Sequence, residues 1–160
     1  MDLQPLCLEG TDVLLLELPT GMQPRFFRET LEELQNQRYT PLIAHAERYG
    51  YILDAPGILA EWMELGAYVQ INASSLIRGG DRAELCLKLI KWGLAHVVAS
   101  DTHSTDRRPP NLDRGMAIVR KQLGQETALR LERNARSLFE GELPELAQPH
   151  IPRKFFGRWI

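Results

Sequence analysis

A chain of 160 residues, 44% hydrophobic and 25% charged, can bury one sizeable core as a globular domain. Its net charge of −2 excludes a general attraction to nucleic acid or to anionic membrane. No run approaches the ~20 apolar residues of a bilayer span, Asp2 and Glu9 interrupt any leader-like stretch, and Cys7 and Cys86 lack metal-type spacing. The expectation is a soluble cytoplasmic protein with two free thiols.

Apolar runs alternate with helical patterns along the chain. Val13–Leu16 reads as a buried strand, and residues 24–38 as a helix with Phe27, Leu31 and Leu34 near helical spacing. Residues 41–44 give a second strand. Residues 55–65 give a helix, with Pro56 in its first turn and Gly66 at its end. Residues 67–71 form a third strand, rich in β-branched and aromatic side chains. A helix over 81–94 takes Asp81 as N-cap and buries Leu85, Leu89, Ile90 and Trp92. The fourth strand is 95–99, with His96 structural. Leu112–Leu123 and 126–133 are helical, and 134–140 forms one more short helix. The Pro-containing stretch 143–160 reads as a tail after a domain of 1–142. Its aromatic and basic end is expected to dock on its own domain or on a second subunit.

Strand–helix alternation of this kind predicts an α/β fold with a parallel sheet and crossover helices. Glu17, His45, Asn72 and Asp101 then fall at the carboxyl ends of separate strands, the edge where α/β folds gather ligands. Asp101 and His103 are two residues apart, so an extended backbone turns both toward one point. Each residue alone has a plainer reading. Asp101 could cap the next turn and His45 could be a satisfied core histidine. Glu17 is harder to dismiss, because four apolar residues precede it and Pro19 follows. It is expected to be at least partly buried, and a buried carboxylate needs a partner. Together Glu17, His45, Asp101 and His103 predict a metal site. Arg48 and Arg108 lie beside it, the latter in a loop stiffened by Pro109 and Pro110. Guanidinium forks suit a phosphate, with two surface arginines as the alternative. The sequence has no nucleophile elbow, P-loop or dinucleotide fingerprint. Metal-activated water is then the simplest nucleophile.

Several segments in order carry a family resemblance: His45-Ala46-Glu47-Arg48-Tyr49, then Gln70-Ile71-Asn72-Ala73-Ser74-Ser75, then Ala99-Ser100-Asp101-Thr102-His103 with Arg108-Pro109-Pro110. On these the chain, from about Val13 to Leu138, resembles the polymerase-and-histidinol-phosphatase (PHP) superfamily. More closely, it resembles the manganese-dependent protein-tyrosine phosphatases of bacterial capsular and exopolysaccharide gene clusters. The resemblance implies a distorted (β/α)7 barrel with metal ions, most often Mn2+ and otherwise iron, Mg2+ or Zn2+, at the carboxyl ends of its strands. It puts Glu17, His45, Asp101 and His103 on metal-ligand positions and Arg48 and Arg108 on catalytic, phosphate-binding ones. The implied substrate is protein phosphotyrosine, typically on a polysaccharide-export kinase.

Members of that family open with a His-x-His strand, whereas nothing before Glu17 here is a histidine. The expected architecture is therefore an incomplete barrel of about four βα units, either a fragment of a longer protein or a truncated form whose activity alone is in question, with Val13–Leu16 an open edge that makes the chain self-associate or leaves it marginally stable. Two alternatives stand beside the tyrosine phosphatase. One is a PHP phosphoesterase acting on a small phosphate such as histidinol phosphate. The other is a non-catalytic remnant that binds metal or a phosphorylated partner.

Overall fold

Four short apolar runs pair in chain order into one parallel sheet: β1 (Val13–Leu16), β2 (Thr40–Ile43), β3 (Tyr68–Asn72) and β4 (Val97–Ala99). This computed structural model describes residues 2–19, 21, 23–104, 110–144, 146, 148–155 and 158–160. Parallel neighbours cannot be joined by tight turns, so each connection carries helix. α1 (Pro24–Asn36) links β1 to β2. α2 (Gly50–Asp54) and α3 (Ile58–Glu64) lead to β3. α4 (Ala73–Arg78) and α5 (Gly80–Lys91) lead to β4, and α6 (Leu112–Leu123) and α7 (Gln125–Glu140) follow.

Side chains alternate across the pleat of β3 and sort the two faces of the sheet. Val69 and Ile71 enter the main core with Phe27, Leu31, Trp62 and Leu89. Tyr68 packs on the opposite face with Val13, Leu42, Val97 and Leu138 of α7. Gln70 and Asn72, two and four residues on, rise along that same face toward the carboxyl edge.

Several local expectations are corrected. The helix expected over 55–65 is α3, shorter at Ile58–Glu64, and the unpredicted helix α2 precedes it, the two parted at Ala55-Pro56-Gly57, where the proline disfavours helical backbone in the residue before it. Asp81 is not an N-cap. Gly79 occupies that position with no side-chain cap, and Asp81 lies in the first turn of α5, where its charge complements the helix dipole. The separate helices 126–133 and 134–140 are one helix, α7. Its buried Asn134 donates to the His96 carbonyl at 3.1 Å instead of breaking the helix. The tail holds an antiparallel pair, β5 (Lys154–Phe155) and β6 (Arg158–Trp159), and Trp159 Nε1 donates to the Leu53 carbonyl at 3.1 Å. The chain end thus packs on its own domain.

β1 is the edge of the sheet. Cys7 bridges Leu14 antiparallel and the Leu8 N–H donates to the Val13 carbonyl at 2.8 Å, so the amino-terminal segment covers the start of this strand. Leu15 remains 53% exposed. At the other side, α6 meets α4 without a side chain between them: a Cβ on Gly115 would sit 2.6 Å from Cβ and 3.0 Å from Cα of Ala73. No helix among the described residues is long and apolar enough to cross a membrane.

Candidate active site

Because all four strands run the same way, their carboxyl ends form one rim. Glu17 follows β1, His45 lies two residues past β2, Asn72 ends β3, and Asp101 lies two residues past β4. The backbone bends sharply at two of these points. His45 and Asp101 both adopt left-handed conformations, with φ of 35° and 53°. That region is costly for side chains other than glycine and is tolerated best by Asn, Asp and His.

The candidate donors stand as two pairs. His45 Nε2 lies 3.2 Å from Glu17 Oε1. His103 Nδ1 lies 3.5 Å from Asp101 Oδ1 and 2.8 Å from the Asp101 carbonyl. Glu17 is not buried as expected: its side chain is 71% exposed. The edge strand leaves it open, and the next residue, Leu18, takes the buried position.

Arg48 ends a 3₁₀ turn, Ala46–Arg48, and its Nη1 lies 3.5 Å from Asp101 Oδ2. Arg108 lies outside the described residues.

Tyr49 ties the first two strand ends together, since its hydroxyl accepts from the Leu18 N–H at 2.8 Å and donates to the Ala44 carbonyl at 3.3 Å. Burial pushes its phenol pKa up. Beside it opens a cavity of about 510 Å³ lined by Glu17, Leu18, Pro24, His45, Arg48 and Tyr51, among others. Tyr49 and Tyr51 stack with ring centroids 5.8 Å apart.

Three polar residues complete the rim: Glu47 and Gln70, given no role by sequence reasoning, and Asn72, expected at this edge but assigned no chemistry. Glu47 is only 3% exposed and accepts from Ser75 Oγ at 2.6 Å and from the Asn72 N–H at 3.3 Å, both on Oε1. Burial raises its pKa against these bonds. Gln70 accepts the His45 N–H at 2.7 Å and donates to Asn72 Oδ1 at 2.8 Å. Asn72 in turn donates to Asp101 Oδ2 at 3.1 Å. One signal for Gln70 was present: polar residues at 70 and 72 alternate with apolar ones in a strand whose every residue is buried.

Two imidazoles and two carboxylates are suitable donors for a hard or borderline dication. His45 Nδ1 is buried without a hydrogen-bond partner, while its other ring nitrogen faces a carboxylate. Among the described residues, however, no group of three His, Cys, Asp or Glu side chains closes on one point. The rim thus offers two donor pairs to a metal and does not itself form a closed cage.

Comparison with known proteins identifies relatives of this chain. Tyrosine-protein phosphatase YwqE of Bacillus subtilis is 34% identical over 158 residues, covering 96% of this chain and 62% of that protein. The putative tyrosine-protein phosphatase CapC of Staphylococcus aureus is 42% identical over 98 residues, 60% of this chain and 38% of the relative. A solved structure from work on YwqE of Bacillus subtilis and CpsB of Streptococcus pneumoniae, described as unique metal-dependent tyrosine phosphatases, superposes with a TM-score of 0.85 at 31% identity. It covers 93% of this chain and 61% of that one. The chain therefore spans less than two-thirds of the length of these relatives. The family model for capsular polysaccharide synthesis proteins of the CpsB/CapC type matches residues 2–140, and the chain belongs to that family.

Proposed function

We propose that the chain is the rim-bearing part of a metal-dependent phosphatase that hydrolyses protein phosphotyrosine in the control of capsular or exopolysaccharide synthesis. The observation that carries this reading is the meeting of Arg48, the two donor pairs and an aromatic-lined cavity at one edge of the sheet. Glu17 with His45, and Asp101 with His103, would hold a dication such as Mn2+, with further donors from outside the described residues. When bound, that ion supplies Lewis acidity toward phosphoryl oxygens. Arg48 binds the same oxygens through its guanidinium fork and stabilises the charge that grows on them in the transition state. Arg108 is the second such arginine. Leu18, Pro24 and Tyr51 give an aryl ring an apolar wall beside Arg48, which favours phosphotyrosine over the more polar histidinol phosphate.

In the same reading, the four-stranded sheet is an arc of a PHP-type barrel, residues 1–142 are the phosphatase domain and 143–160 its tail. The phosphorylated partner is a polysaccharide-export kinase, and the exposed β1 edge pairs copies of the chain. Unpaired Cys7 and Cys86 suit a reducing cytoplasm.

The test is phosphate release from a phosphotyrosine peptide and from histidinol phosphate with added Mn2+. We expect the peptide to be preferred and Arg48→Ala to lose about 10²-fold or more in kcat. Bound Mn2+ without turnover by the wild-type chain would instead assign a non-catalytic, metal-binding role.

A further inference from the structure

The two donor pairs belong to strands that are not neighbours. His45 follows β2 and Asp101 follows β4, so β3 lies between them. β3 contributes no donor of its own. It contributes Gln70 and Asn72, which are 5% and 0% exposed and lie on the same face of the strand. We propose that these two amides are positioning residues, a one-way hydrogen-bonded relay that fixes the His45 backbone, from which the imidazole projects, and the β4 carboxylate relative to each other.

The direction of the relay follows from its ends. The His45 backbone N–H can only donate, and the Asp101 carboxylate stands as acceptor. Gln70 must therefore turn Oε1 toward His45, which aims its Nε2 at Asn72. Asn72 must then present Oδ1 to Gln70 and aim its Nδ2 at Asp101. The three contacts, 2.7, 2.8 and 3.1 Å, agree with that order throughout. No other amide orientation leaves every member paired. Reversing either amide would set two donors or two acceptors against each other in a buried place, where an unmade bond costs about 1–3 kcal/mol.

The base of the relay is pinned as well. The Asn72 backbone N–H donates to Glu47, which also holds Ser75. Glu47 precedes Arg48, so the phosphate-binding arginine and the relay share one anchor. Asn72 thus supports the Asp101 carboxylate directly, as partners of metal ligands commonly do, while Gln70 holds the backbone from which the His45 ring projects. The relay's role in metal binding rests on the phosphatase reading above, whereas its presence in the folded chain does not.

The experiment is a double-mutant cycle with Gln70→Leu and Asn72→Leu in the whole metal-free chain, reading amide exchange at His45 by NMR. Asn72 does not touch His45, yet Asn72→Leu should speed His45 exchange at least tenfold by releasing Gln70. The double variant should lose no more than the Gln70 variant, since a series connection is broken once. Exchange unchanged in Asn72→Leu, or effects that add, would overturn the proposal. Where the leucine variants fail to fold, Asn72→Ala makes the same cut with a smaller side chain, because it removes both the acceptor for Gln70 and the donor to Asp101. Titration with Mn2+ reads the consequence separately: each single variant should bind at least tenfold more weakly than wild type. A wild-type chain that binds no Mn2+ defeats the metal reading and leaves the exchange result to decide the relay.

Discussion

His45 and His96 are both buried imidazoles of the same sheet, and their surroundings give them different chemistry. His96 Nδ1 accepts the Val69 N–H at 2.9 Å, which puts the ring proton on Nε2, a buried atom with no partner. Tyr68 packs edge-on against the ring at a centroid distance of 5.4 Å. Burial first, and the Arg130 charge second, push the His96 pKa down to about 4. The folded chain therefore binds fewer protons here than the unfolded one between pH 6.5 and about 4. The stability from keeping His96 neutral is complete above pH 6.5 and declines as pH falls through that window, by roughly 3 kcal/mol at about 1.4 kcal/mol per unit. Urea unfolding across this range should show the decline, and His96→Gln, whose side chain does not titrate, should flatten it. A wild-type profile as flat as that of the variant would contradict the account. His45 instead has one nitrogen toward a carboxylate and the other unpartnered, the arrangement of a ring available for ligation. Sequence pattern distinguished these two histidines by position alone, one inside a strand and one just past its end.

The long elements were legible from periodicity. Phe27, Leu31 and Leu34 mark the buried side of α1, and Leu85, Leu89 and Ile90 mark that of α5. The short helices α2 and α4 were not legible, because five or six residues cannot display a helical repeat. They form where the chain turns off the rim, and tertiary packing holds them there. The rim itself could be read from strand ends, whereas the links across it could not. Glu47 in particular carries no local sign that it is buried against Ser75 and Asn72. The α4–α6 contact shows a constraint that composition hides. Alanine normally favours a helix over glycine by about 1 kcal/mol. At position 115 an alanine would overlap Ala73 Cβ and press on its Cα, so Gly115→Ala should destabilise the fold by roughly 1–3 kcal/mol. Ala73 directly follows Asn72, and any shift of α4 would therefore move the relay as well. Chemical denaturation measures the first effect and His45 amide exchange the second. A stabilised variant would contradict the close approach.

At the scale of the whole molecule, the sheet is open along one edge among the described residues. Among the described residues β1 has one strand neighbour, a single bridge to Cys7 on its other side, and an exposed Leu15. An exposed edge beside an apolar side chain invites pairing. Light scattering behind size exclusion should show a species larger than a monomer, and Leu15→Lys should shift it toward monomer without loss of helix content. A stable wild-type monomer at all concentrations would rule this out.

The left-handed backbone at His45 and Asp101 means that the rim works against the scaffold beneath it. Each such residue carries local strain of about 1–3 kcal/mol that glycine would relieve. Selection for durability alone would favour replacing both, giving a sturdier and chemically blank protein. This chain keeps ring and acid at two of the three left-handed positions that are not glycine among the described residues, Arg38 being the third, so thermostabilising substitutions at 45 and 101 should be bought with function.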